Sequence, residues 1–221
     1  MNHTEHCDCA NCPFHNADDF LPVGTRGPLD APVVIVGQTP GEEEINRGQP
    51  FVGPAGQCLD AALERAGWDT AQVPVLYANA MCCRPPEGHT FTKKLIERCG
   101  AQLQEAISAH PRKLIICVGN EAWSAVMGVN PTGVEKGAGL VKPSLFGCPV
   151  LWTHHPAKAL YSPQVMPHFI AHLAKGLHIV RDGGNTDPAA GATKKLIRTL
   201  DGLRGLVEYC KRRGHAGELM S

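Results

Sequence analysis

Residues 33–36, 75–78, 114–118 and 150–153 read "VVIV", "VLYA", "LIICV" and "VLWT". Each run is too short for a helix and too apolar for a surface loop, so each is expected to be a strand buried on both faces. Between the runs, apolar residues return at helical spacing. Cys58, Leu59, Ala62, Leu63 and Ala66 mark one helix, and Leu95, Cys99, Leu103 and Ile107 mark the next. A shorter helix follows "GNEAW", and Phe169, Leu173 and Leu177 mark the last. Strands alternating with helices predict a three-layer α/β/α fold around a central four-stranded parallel sheet. The stretch "GQTPGEEEINRGQPFVGPAG" then lies at the carboxyl end of the first strand, before a helical pattern that starts near Ala55. Open α/β sheets place their ligand crevices at that edge.

The chain's 221 residues suffice for one well-packed domain and an extension. Residues 1–180 are expected to form the domain, with a cysteine-bearing amino-terminal segment. Residues 181–192, "RDGGNTDPAAGA", have linker composition. Residues 193–221 read as a basic amphipathic helical extension. Leu196, Leu200, Leu203, Val207 and Cys210 fall on one side, and Lys194, Lys195, Arg198, Arg204, Lys211, Arg212 and Arg213 on the other. Such a helix either packs back on the domain or offers its basic face to DNA or a partner.

The formal net charge is zero and the pI is near 7.1, so no global field announces a polyanion binder. Contact with one needs a local basic patch. No apolar run is long enough to span a bilayer, and "MNHTEHCDCANCPF" carries cysteines and histidines where a signal peptide has an apolar core. The expectation is a cytoplasmic protein without a membrane partner. Ten cysteines in that setting are thiols or metal ligands rather than a disulfide framework.

Cys9 and Cys12 form a C-x-x-C, with Cys7 just upstream; "NAMCCRPP" supplies Cys82 and Cys83, and "IERCGAQL" supplies Cys99. Two thiolates at that spacing grip a metal centre from one side, and a second pair elsewhere closes a four-thiolate site for zinc or an iron–sulfur cluster. His3, His6 and His15 leave an amino-terminal zinc knot open as well. Cys58, Cys117, Cys148 and Cys210 lie in apolar patterns and are expected to be small core residues.

Four segments in order resemble the uracil-DNA glycosylase superfamily, specifically its iron–sulfur-containing family 4 branch. The family's first motif, G-E-x-P-G-x-x-E-D followed by G-x-P-F-V-G-x-A-G, stands here as "GQTPGEEEI" and "GQPFVGPAG". Its T-N and K-C-R-P-P elements correspond to "YANAMCCRPP", with Cys99 sixteen residues after Cys83. Its H-P-A motif appears in "WTHHPAKAL". The resemblance spans about residues 7 to 180.

That resemblance implies a DNA glycosylase acting as a monomer, which everts uracil from DNA and hydrolyses its N-glycosidic bond. It also implies a structural 4Fe-4S cluster on Cys9, Cys12, Cys83 and Cys99, with zinc as the alternative and Cys7 and Cys82 as competing neighbours. Phe51 is the implied stacking plate, and backbone amides around Gln38 and Thr39 the implied donors to the base. Asn79 is the implied reader of the pyrimidine edge. His155, with His154 as its competitor, is implied to stabilise the departing base. Lys158 and Leu160, the latter with Tyr161 as alternate, are implied to meet a phosphate and to wedge into the minor groove. Glu44 is the candidate water-orienting acid. Two positions depart from the pattern: the family glutamate near the start of the motif is Gln38, which cannot act as a base, and its aspartate is Ile45. Those departures keep two alternatives open, a non-catalytic DNA-binding module of the same fold and a glycosylase for another modified base.

Overall fold

The computed structural model describes residues 9–14, 21–86, 92–129 and 134–183. Five strands form one sheet in the order β2-β1-β3-β5-β4. They are β1 (Val33–Gly37), β2 (Val75–Asn79), β3 (Leu114–Val118), β4 (Val141–Pro143) and β5 (Pro149–Thr153). β1, β2, β3 and β5 run parallel, and their pairing sets Gly37 opposite Asn79 and Val118 opposite Thr153. The expected four-stranded parallel sheet is thus present, with one strand more: β4 pairs antiparallel with β5 at the edge.

Seven helices accompany the sheet among the described residues: α1 (Glu42–Arg47), α2 (Pro54–Arg65), α3 (Lys93–Ser108), α4 (Asn120–Met127), α5 (Val134–Gly137), α6 (Pro156–Tyr161) and α7 (Met166–Arg181). Side chains alternate across each strand, so the sheet has two buried faces. Val33, Ile35, Tyr77, Leu114, Ile116 and Leu151 pack with Leu59 and Leu63 of α2 and with Phe169, Leu173 and Leu177 of α7. Val34, Val36, Leu76, Ile115, Cys117 and Val150 pack on the other face with Leu103 and Ile107 of α3 and Trp123 of α4. The three-layer arrangement follows from those two faces. Cys58, Cys117 and Cys148 are buried in them, as their apolar surroundings predict.

Two segments differ from the sequence expectation. The acidic loop after β1 contains the short helix α1. The expected linker begins at Arg181, but α7 includes that residue. The rest of the linker beyond Gly183, and the extension at 193–221, lie outside the described residues, as do Cys7, Cys210, His3, His6 and His15. No helix of the described residues is long and apolar enough to cross a membrane.

Candidate active site

The carboxyl ends of β1, β2 and β5 open into one cavity of about 510 Å³, a size suited to a small ligand. Gln38, Thr39, Glu44, Phe51, Asn79 and His155 all line it, together with Gly41, Glu42, Ala55, Gly56, Arg84, Pro85 and Pro86. Six of the residues singled out in the sequence therefore meet in a single space. Lys158 and Leu160 are not among the lining residues. They sit on α6, which starts directly after His155, and Leu160 and Tyr161 at its end are 41% and 80% exposed.

Phe51 is held at the cavity by its backbone and its neighbours. Its φ of 57° makes it the one described non-glycine residue in the left-handed region, a conformation that costs about 1–3 kcal/mol and needs support from its surroundings. Its ring lies 5.6 Å from the Tyr77 ring, tilted by 49°. Tyr77 is fixed in turn, since its hydroxyl donates to Asp60 Oδ1 at 3.2 Å and the Arg26 guanidinium sits 4.1 Å above its ring. Gly56 is required at the start of α2, because a Cβ there would fall 2.1 Å from the Phe51 carbonyl oxygen.

Glu44 is buried although Glu42 and Glu43 beside it are exposed. Its Oε1 accepts from the backbone N–H of Val52 at 2.9 Å and of Gly53 at 2.7 Å. Its Oε2 accepts from Gly41 N–H at 3.0 Å, which caps the first turn of α1. Both oxygens of the candidate acid are therefore engaged by main-chain donors.

Asn79 ends β2 beside Gly37, and among the described residues no protein group is hydrogen-bonded to its carboxamide. His155 follows β5 and caps α6. Its Nδ1 accepts from Ala157 N–H at 3.2 Å, so the proton of the neutral ring resides on Nε2. Burial pushes the His155 imidazole below its usual value, which keeps it neutral near pH 7. His154 points elsewhere: its ring stacks at 5.9 Å on His172 of α7.

The cysteines form a separate group. The Cys83 thiol is pushed up to about 12, first by burial and then by the sulfurs of Cys99, Cys12 and Cys9. Thiols from two other parts of the chain thus lie within electrostatic reach of Cys83. Cys82 instead hydrogen-bonds Gln102 on α3. Cys99 packs with Phe14, Met81, Leu95 and Ile96, and Arg98 donates to the Asn11 carbonyl, so the amino-terminal segment is held against α3. Among the described residues no three His, Cys, Asp or Glu side chains are gathered as ligands of a single metal ion.

Sequence reasoning missed Arg84, Pro85 and Pro86 as pocket walls, although "CCRPP" marked their place. It also missed the Tyr77–Asp60–Arg26 support, for which the sequence carries no signal.

This geometry defines an α/β protein with a cavity lined by an aromatic ring, a carboxamide and an imidazole at the carboxyl edge of its sheet. Residues 25–177 match the profile of the Uracil DNA glycosylase superfamily, and the chain belongs to that superfamily. It is 32% identical to the Type-4 uracil-DNA glycosylase of Pyrobaculum aerophilum over 76% of this chain and 87% of the relative. The protein of that name from Thermotoga maritima is 34% identical over 69% of this chain and 78% of its own length. That of Archaeoglobus fulgidus is 30% identical over 76% and 85%.

Proposed function

We propose that the protein removes uracil from DNA by hydrolysing the N-glycosidic bond of an everted nucleotide, leaving an abasic site for base excision repair. One observation carries this reading: Phe51, Asn79 and His155, far apart in the chain, line one cavity in a member of the superfamily. The base stacks on Phe51. The Asn79 carboxamide accepts from N3–H and donates to O4, a pattern that cytosine reverses. Cleavage leaves negative charge on the base and cationic character on the sugar. The His155 Nε2–H donates to O2 as that charge develops, from a neutral ring already oriented by Ala157. Backbone amides around Gln38 and Thr39 add donors at the same edge. On the DNA side, Arg84 at the rim and Lys158 on α6 meet phosphates, and Leu160 or Tyr161 fills the space left by the base.

Cys9, Cys12, Cys83 and Cys99 are the residues that would hold a four-iron, four-sulfur cluster. Crowding four thiols opposes their ionisation together, and a cationic centre relieves that opposition. One zinc ion needs its sulfurs within about 2.3 Å of a single point, whereas a four-iron cluster takes one thiolate on each iron and accepts a wider quartet. Its contribution is structural, tying the amino-terminal segment to α3 and to the loop after β2.

The test is incubation with a single-uracil oligonucleotide followed by alkaline cleavage. The expected result is strand scission at the uracil, reduced by about 10²- to 10³-fold in His155→Ala. Lack of scission with the purified wild-type protein would leave a non-catalytic binding module or a different base as the better account.

A further inference from the structure

We propose that Glu44 is a positioning residue, whose carboxylate clasps the main chain on both sides of the stacking loop and sets Phe51. It does not take a proton from the attacking water. The inference rests on the uracil-releasing reading of the pocket and deepens it.

Three facts carry the assignment. Both carboxylate oxygens accept from backbone N–H groups, those of Gly41 before α1 and of Val52 and Gly53 directly after Phe51. A general base needs a lone pair aimed at the water it activates, and the main chain already takes three of the carboxylate's roughly four acceptor sites. Second, the clasp lands on the two residues that follow the strained Phe51, where a left-handed φ must be held from outside. Third, the surroundings are shaped for this contact and nothing larger. A Cβ on Gly41 would stand 2.7 Å from Oε2, and one on Gly53 would stand 3.1 Å from Oε1. An ionised carboxylate is acceptor-only and so suits three converging donors, which no neutral side chain matches. Ala at position 44 releases the loop. Gln keeps one acceptor oxygen for Val52 and Gly53, and turns a donor toward Gly41 N–H.

The test compares wild type, Glu44→Gln and Glu44→Ala on a uracil-containing oligonucleotide from about pH 5 to about pH 9. Inhibition by free uracil is measured alongside, and Glu44→Ala is assayed with and without added formate. Glu44→Gln should stay within about tenfold of wild type, with the same pH profile, because one of three hydrogen bonds is lost. Glu44→Ala should fall by more than about a hundredfold, bind free uracil more weakly, and gain nothing from formate. A base role predicts the opposite set: Glu44→Gln as inactive as Glu44→Ala with free uracil still binding as in wild type, or formate restoring Glu44→Ala. Either result overturns the clasp. Wild-type protein that releases no uracil would instead strike the reading of the pocket, and the inference with it.

Discussion

Gly37 and Phe51 share one volume: a Cβ at position 37 would stand 2.6 Å from Cζ of Phe51. The same atom would lie 2.5 Å from Oδ1 of Asn79, so the missing side chain lets plate and carboxamide approach each other at the end of β1. Gly37→Ala should therefore fold, since the sheet ladder is untouched, at a cost of about 1–3 kcal/mol from overpacking. Uracil release should fall further than that loss of stability explains. Thermal melting and kcat/KM on a single-uracil oligonucleotide check the two parts separately. An unchanged kcat/KM would mean that the Phe51 ring and the Asn79 amide do not act on a common base.

On the proposed function, Asn79 carries the edge reading. Replacing it by Ala leaves the stacking plate and the imidazole in place and removes two hydrogen bonds at N3 and O4. Each buried group left unsatisfied costs about 1–3 kcal/mol, so kcat/KM for uracil should drop by about 10- to 1,000-fold. Discrimination against cytosine should narrow, because the variant no longer opposes the reversed donor pattern. Parallel assays on uracil- and cytosine-containing oligonucleotides measure both. A variant that loses rate but keeps full discrimination would move the specificity elsewhere in the pocket.

The β-branched runs revealed the buried strands because a strand covered on both faces has no polar positions to confuse the pattern. β4 escaped notice for the converse reason. It is three residues at an exposed edge, ends in Pro143, and has a single neighbour to pair with. α1 was hidden because "EEEINR" has no apolar stripe, and its first turn is held by Glu44 reaching back to Gly41. Strand-end residues such as Asn79 and His155 could be recognised by motif and register. The partners of Glu44 could not, since backbone amides eight and nine residues away look the same in every sequence. The His154–His155 ambiguity is likewise resolved only in three dimensions, where one ring lines the cavity and the other stacks on His172 of α7.

The adjacent cysteines make a paired prediction. Cys83 faces Cys9, Cys12 and Cys99, whereas Cys82 is bonded to Gln102. With the proposed cluster in place the wild-type protein should contain bound iron and sulfide, and Cys83→Ser and Cys99→Ser should lose both, together with the attachment of the amino-terminal segment. Cys82→Ser should retain them. Iron and sulfide analysis of the purified variants, with zinc measured in the same samples, is the check. Stoichiometric zinc in place of iron would reverse the assignment of the quartet.

Acid sensitivity should arise in large part away from the pocket, at His172 on α7. Its Nδ1 lies 3.0 Å from Thr153 Oγ1, and its ring stacks on His154. Burial, followed by the charges of His154, His168 and Lys175, lowers its folded pKa from the usual 6.5 to about 4. Lys175 is held nearby by donating to the Gly139 carbonyl at 2.8 Å. Burial lowers His155 in the same direction. Between those limits the unfolded chain binds protons that the folded chain refuses, so unfolding becomes easier as protons are added. The contribution is fully present above 6.5 and is lost as the pH falls toward about 4. His172→Asn keeps a polar atom near Thr153 but cannot titrate. Its urea midpoint should start lower than that of wild type at pH about 8, because packing is lost, yet fall less steeply below pH about 6.5. Equal slopes for variant and wild type would assign the acid sensitivity to other groups.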